Sequence, residues 1–93
     1  MRITAKTLEA RINYLNRLMD RPATPWTKEN GLPKSNIGNF HLYQAYGGYN
    51  VHEICNESGG VRTPISYGCI PGRDLYEKIN SFIDGLEYGE RNQ

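Results

Sequence analysis

The stretch Tyr43-Gln44-Ala45-Tyr46-Gly47-Gly48-Tyr49-Asn50-Val51 decides the fold. A Gly-Gly pair flanked by tyrosines stands between two runs of strand-forming residues, 40–45 and 49–54. Glycine supplies the positive φ angles that a two-residue type I′ turn requires, so residues 37–55 read as a β-hairpin. With Gly47-Gly48 as the turn, Tyr46 pairs with Tyr49, Gln44 with Val51, Leu42 with Glu53 and Phe40 with Cys55. The opposite face then carries Tyr43 beside His52, and His41 beside Ile54. A three-residue loop would instead set Leu42 against Ile54. A one-residue slip reverses which side chains are buried, and the sequence leaves the register open.

Working outward, Leu8, Ile12, Leu15 and Met19 recur at spacings of four, three and four, which predicts a helix over residues 4–19 with Thr4 as its N-cap. Lys6, Asn13, Arg17 and Arg21 fall on the side opposite this apolar stripe. Pro22, Pro25, Pro33 and Gly31 mark residues 20–36 as a loop, since proline cannot continue a helix. Trp26, inside it, reads as a plug over one edge of the core or as an exposed anchor for a partner. Asn56-Glu57-Ser58-Gly59-Gly60 is a second turn, with a third strand somewhere in 61–70, at an edge or starting after Pro64. Leu75, Ile79, Phe82 and Leu86, with Ile83 beside them, predict a helix over 73–87 and a loose tail over 88–93. Gly85 marks close packing or fraying. The sum is a single α+β domain ordered α-β-β-β-α. A three-stranded antiparallel sheet would carry both helices on one face and leave the other to solvent or a partner.

Ninety-three residues bury only about 60–65% of their unfolded surface, so the core is small and a homodimer is one way to bury more. The formal net charge of +1 argues against a DNA-packaging role, which rests on phosphate neutralisation. The charge is uneven. Residues 1–21 carry Arg2, Lys6, Arg11, Arg17 and Arg21 against Glu9 and Asp20, whereas residues 71–93 are net acidic. No apolar run approaches the roughly 20 residues of a membrane span, and no signal-peptide core opens the chain. Cys55 and Cys69 have neither zinc nor disulfide-scaffold spacing and read as buried thiols. These readings lead to the expectation of a soluble, cytoplasmic protein with no membrane partner.

No constellation specifies catalysis, and no catalytic residue, metal ligand or cofactor is assigned. His41 and His52 share a hairpin face, with Glu53 and Cys55 close in sequence, but read as ordinary polar-face histidines. A nucleophilic Cys55 or Cys69 would need an oriented base and an anion stabiliser that nothing in the sequence specifies. Asp74, Glu77, Asp84 and Glu87 fit a solvated helix face. The glycine pairs precede strand rather than helix, unlike a phosphate-binding loop. The aromatics are more suggestive, because tyrosine offers apolar area, a polar tip and few rotatable bonds. Tyr43, Tyr46 and Tyr49, with Trp26, are the candidate partner-binding surface. The alternative is nucleic-acid binding through Lys6, Arg11, Arg17 and Arg21 on the first helix. A third reading is a small-molecule or nucleotide-sequestering protein.

The element order resembles the double-stranded-RNA-binding domain. The last helix opens Pro71-Gly72-Arg73-Asp74-Leu75-Tyr76-Glu77, with one arginine and two carboxylates where that domain carries a lysine cluster. The chain is also similar to a family of small uncharacterised proteins of tailed bacteriophages and prophages. The residues that carry this are Thr7-Leu8-Glu9-Ala10-Arg11, Leu15-Asn16, Asn36-Ile37-Gly38-Asn39, Ala45-Tyr46-Gly47-Gly48-Tyr49, Gly59-Gly60-Val61, Asp74-Leu75-Tyr76, Phe82-Ile83 and Gly85-Leu86-Glu87. That resemblance implies a phage accessory protein acting in the host cytoplasm on a host or phage macromolecule. It implies no catalytic residue.

Overall fold

The computed structural model describes residues 2–91. Its elements in chain order are α1 (Ala5–Leu18), β1 (Trp26–Glu29), β2 (Leu32–Ser35), β3 (Phe40–Ala45), β4 (Gly48–Ile54), β5 (Val61–Arg62) and α2 (Gly72–Arg91). The strands form two antiparallel sheets, a hairpin β1-β2 and a three-stranded sheet ordered β3-β4-β5. The fold is α+β, with a helix at each end and both helices on one face of the larger sheet.

The helices form where the apolar stripes lie. Thr4 caps α1, its hydroxyl accepting from the Thr7 N–H at 3.3 Å. Leu8, Ile12 and Leu15 meet Leu75, Ile79 and Ile83 of α2, and Phe40 and Val51 close the cluster from the sheet. The helices run side by side in the same direction. Arg11 Nε donates to Asn80 Oδ1 at 2.8 Å, and the Tyr14 hydroxyl donates to Glu87 Oε2 at 2.8 Å. That bond raises the Tyr14 phenol above its ordinary value. α2 continues to Arg91, so residues 88–91 are helical rather than loose, while 92–93 of that tail lie outside the described residues. Gly85 lies inside the helix with open space around it, so it serves neither close packing nor a helix end.

The β3-β4 hairpin turns on Tyr46-Gly47, with φ of 55° and 74°, and Ala45 pairs with Gly48. Leu42 therefore faces Val51, and Phe40 faces Glu53. This corrects the turn on Gly47-Gly48 and its pairing of Tyr46 with Tyr49. The shift moves each partner by two positions, so the faces are unchanged. The reason lies in the second glycine. A Cβ on Gly48 would stand 3.0 Å from the Ile70 carbonyl oxygen and 3.1 Å from the Cys69 carbonyl carbon. Gly48 is needed for this close backbone approach, which leaves Gly47 alone for the turn. Ile70 exchanges backbone hydrogen bonds with Tyr49 at 2.8 and 2.9 Å. The third strand begins before Pro64, not after it.

Residues 20–36 are not simply a loop: they hold the β1-β2 hairpin. Its turn is Asn30-Gly31, with φ of 53° and 78°, the residue pair most favoured for a type I′ turn. Pro33 is tolerated because it lies opposite Lys28, one step from the closing pair Glu29–Leu32. That is a non-bonded position of the ladder, where the nitrogen of Pro33 points away from β1 and no hydrogen bond is lost. Ser35 anchors the hairpin by donating to the Asn56 and Glu57 carbonyls at 3.1 and 2.8 Å.

Trp26 is 48% exposed and packs on Gly59 rather than entering the central core. Gly59 has φ of 85°, and a Cβ there would lie 2.6 Å from the indole Cη2. Gly59→Ala is expected to displace the indole and cost about 1–2 kcal/mol, since both backbone and contact are violated. Trp26 is the sole tryptophan, so its fluorescence reads this directly. A red-shifted emission is expected, and an unchanged spectrum would refute the packing.

Candidate partner-binding surface

The hairpin alternation separates the tyrosines. Tyr49 lies on the helix side and packs against the core. Tyr43 lies on the opposite face, 41% exposed, its ring stacked on His52 with centroids 4.1 Å apart and planes at 15°. Tyr46 occupies the turn and is 99% exposed. Thus Tyr43 and Tyr46 share an exposed end of the hairpin, whereas Tyr49 is drawn into the fold and Trp26 lies on the separate β1-β2 hairpin.

A further exposed ring sits near this end. Tyr67 is fully exposed at the apex of a turn in which the Ser66 hydroxyl donates to the Gly68 carbonyl at 3.0 Å. It precedes Cys69 by two residues, and Cys69 lies against Gly48, two residues from Tyr46. The Ser-Tyr-Gly triplet could have pointed to this turn. Placing a third strand somewhere in 61–70 hid it, because that strand ends at Arg62.

His41 and His52 are direct cross-strand partners, with ring centroids 5.7 Å apart. Asn39 fixes the first ring. Its Nδ2 donates to the Pro22 carbonyl at 2.8 Å, so its Oδ1 accepts from His41 Nδ1 at 3.1 Å. Burial lowers the pKa of His41, with the nearby His52 adding to the effect, and burial alone lowers that of His52. Both imidazoles are neutral at pH 7. Glu53 and the histidines occupy opposite faces. Among the described residues, no three of His, Cys, Asp and Glu converge as they would around a metal ion. Cys55 is exposed rather than buried, its thiol donating to the Gly60 carbonyl at 3.2 Å, and Cys69 is half-buried.

The basic set assigned to the first helix is partly engaged, and Arg21 lies beyond α1, which ends at Leu18. Arg21 Nη1 donates to Glu53 Oε2 and to the Gly38 carbonyl, both at 3.0 Å, and its guanidinium lies over Phe40. Arg11 is held by Asn80 and lies against the Tyr14 ring, which Arg17 also approaches. Lys6 is exposed. Arg21 therefore turns toward the sheet instead of continuing the basic face.

No protein-family model, curated protein or solved structure matches this chain. Among the described residues, no helix is long and apolar enough to cross a membrane.

Proposed function

We propose that this is a non-enzymatic bacteriophage accessory protein that binds a host or phage protein through the exposed aromatic end of the β3-β4 hairpin. The observation that carries this reading is Tyr46. A bulky residue at positive φ costs about 1 kcal/mol or more, and asparagine or glycine would close the same turn more cheaply. The ring gains nothing within the chain in return, because it stands wholly in solvent. Strain held for an exposed aromatic side chain fits a contact made outside the chain. Tyr43 and Tyr67 extend the surface, and the resemblance to phage proteins supplies the biological setting.

The test is affinity capture from bacterial lysate with the tagged full chain, with and without nuclease. A protein retained equally in both arms, and lost with Tyr46→Asn, is the expected result. Retention that disappears with nuclease would favour the nucleic-acid reading through Lys6, Arg11, Arg17 and Arg21. Undiminished capture by Tyr46→Asn would overturn the surface. Because asparagine relieves the turn, this variant is expected to melt no lower than the parent.

A further inference from the structure

The outer edge of β3 is an unfilled hydrogen-bonding surface. Antiparallel ladders alternate bonded and non-bonded pairs, and a two-residue turn makes its closing pair a bonded one. Ala45–Gly48 is that pair, so Tyr43–Asn50 and His41–His52 are bonded as well. Phe40, Leu42 and Gln44 consequently point their N–H and C=O groups away from β4. Asn16 confirms the phase. Its Oδ1 accepts from the Phe40 N–H at 2.9 Å, and its Nδ2 donates to the Phe40 carbonyl at 2.9 Å. The amide of α1 thus stands in for a neighbouring strand at Phe40. Among the described residues, nothing does so at Leu42 or Gln44.

The other sheet edges are blunted by the usual devices. β2 carries Pro33 and Lys34, β1 carries Lys28, and β5 is two residues long and stops short of Pro64. β3 reads Phe-His-Leu-Tyr-Gln-Ala, with no proline and no formal charge at neutral pH. The chain is also flat, at 42 × 39 × 21 Å. Its accessible surface is 6314 Å², against about 5,500 Å² for a compact monomer of this mass. The excess of roughly 800 Å² reflects this flat, open shape, which leaves the β3 edge accessible to a second copy.

We propose that β3 pairs antiparallel with β3 of a second copy, on a twofold axis through Tyr43, to make one six-stranded sheet. Leu42 lies opposite Gln44 of the partner subunit and Gln44 opposite Leu42 of the partner subunit. Each is a bonded pair, giving four hydrogen bonds. The free groups are symmetric about Tyr43, so a second copy satisfies all of them with none left over, and the uncharged strands meet without repulsion. Asn16 ends the pairing at Phe40. The Tyr43–His52 stacks of the two copies then adjoin on the face away from the helices, doubling the ring surface. The same register sets each Tyr46 opposite Phe40 of the partner subunit, so this goes beyond the reading of Tyr46 as the contact for another protein. Oligomeric state tests the pairing, and capture of a second protein tests that reading.

Light scattering on the full chain should give twice 10.6 kDa, falling to the single-chain mass for Gln44→Pro with unchanged circular dichroism. Proline there removes only the outward N–H and leaves the β3-β4 ladder intact. In a Cys55→Ser, Cys69→Ser background, Tyr43→Cys should form an interchain disulfide under mild oxidation and Ala45→Cys should not, because only residue 43 meets its own copy. A monomer at every concentration, a dimer indifferent to Gln44→Pro, or a dimer without the Tyr43→Cys crosslink would each overturn the proposal. If Gln44→Pro fails to fold, the crosslink decides alone.

Discussion

Replacing Asn16 with alanine is expected to lower stability by about 3–5 kcal/mol. Both ends of this amide are committed to the Phe40 backbone, and the side chain is buried. Truncation orphans a buried N–H and a buried C=O, at about 1–3 kcal/mol each, and opens a small cavity. A domain of this size has only about 5–14 kcal/mol in total, so the variant approaches its unfolding threshold. Urea unfolding measures the loss, and a change below about 1 kcal/mol would show that the cap is not needed. Asn16→Asp adds a pH signature. A carboxylate can accept from the Phe40 N–H, but only the protonated acid can donate to the Phe40 carbonyl. The folded pKa is therefore raised. The stability this group contributes is present below the unfolded value of about 3.9 and is lost as pH rises through the folded value.

Glu53→Gln is expected to cost about 2–3 kcal/mol. The carboxylate is only 6% exposed and is gripped by Arg62 Nε at 2.6 Å and Arg21 Nη1 at 3.0 Å. The Arg62 hydrogen bond is the main cause that holds Glu53 below the usual carboxylate range. Burial opposes it, and Arg21 adds to the lowering. Removing the charge leaves Arg21 partly buried without its counter-ion, which is costly. Arg62→Ala should cost less, since that arginine is mostly exposed. The sign with pH follows from the lowered pKa. The Glu53 contribution is complete above the ordinary glutamate value near pH ~4.3 and is lost as pH falls through the lower folded value. Acid titration of unfolding should thus be steeper in the parent than in Glu53→Gln over that window. Parallel titrations would show that the carboxylate is not paired in this way.

These two residues also mark where the sequence is opaque. Asn16 follows Leu15 in a helical stripe, where a polar residue reads only as dilution, and its partner lies 24 residues away. Glu53 breaks an apolar strand face until Arg21 and Arg62 are brought to it. By contrast, both helices, the central hairpin and the three-stranded sheet are legible, because local periodicity and turn chemistry carry them. The register was hidden because Gly47 and Gly48 do different work, one for the turn and one for the approach of Cys69 and Ile70. Asn30-Gly31 announces the first hairpin, but the surrounding prolines outweigh it until the ladder shows that Pro33 needs no N–H. Of the candidate surface, Tyr43, Tyr46 and Trp26 remain exposed, with Trp26 on the other hairpin. Tyr49 does not, because a strand alternates and its neighbours decide the inner face.

The most direct measurement is the thermal midpoint of Tyr46→Asn beside the parent. If the tyrosine is held at the turn for a contact outside the chain, asparagine should relieve the backbone and raise stability by about 0.5–1 kcal/mol, or several degrees for a domain of this size. A lower midpoint would mean that the Tyr46 ring supports the fold itself, and the case for an external partner at this end of the hairpin would fall.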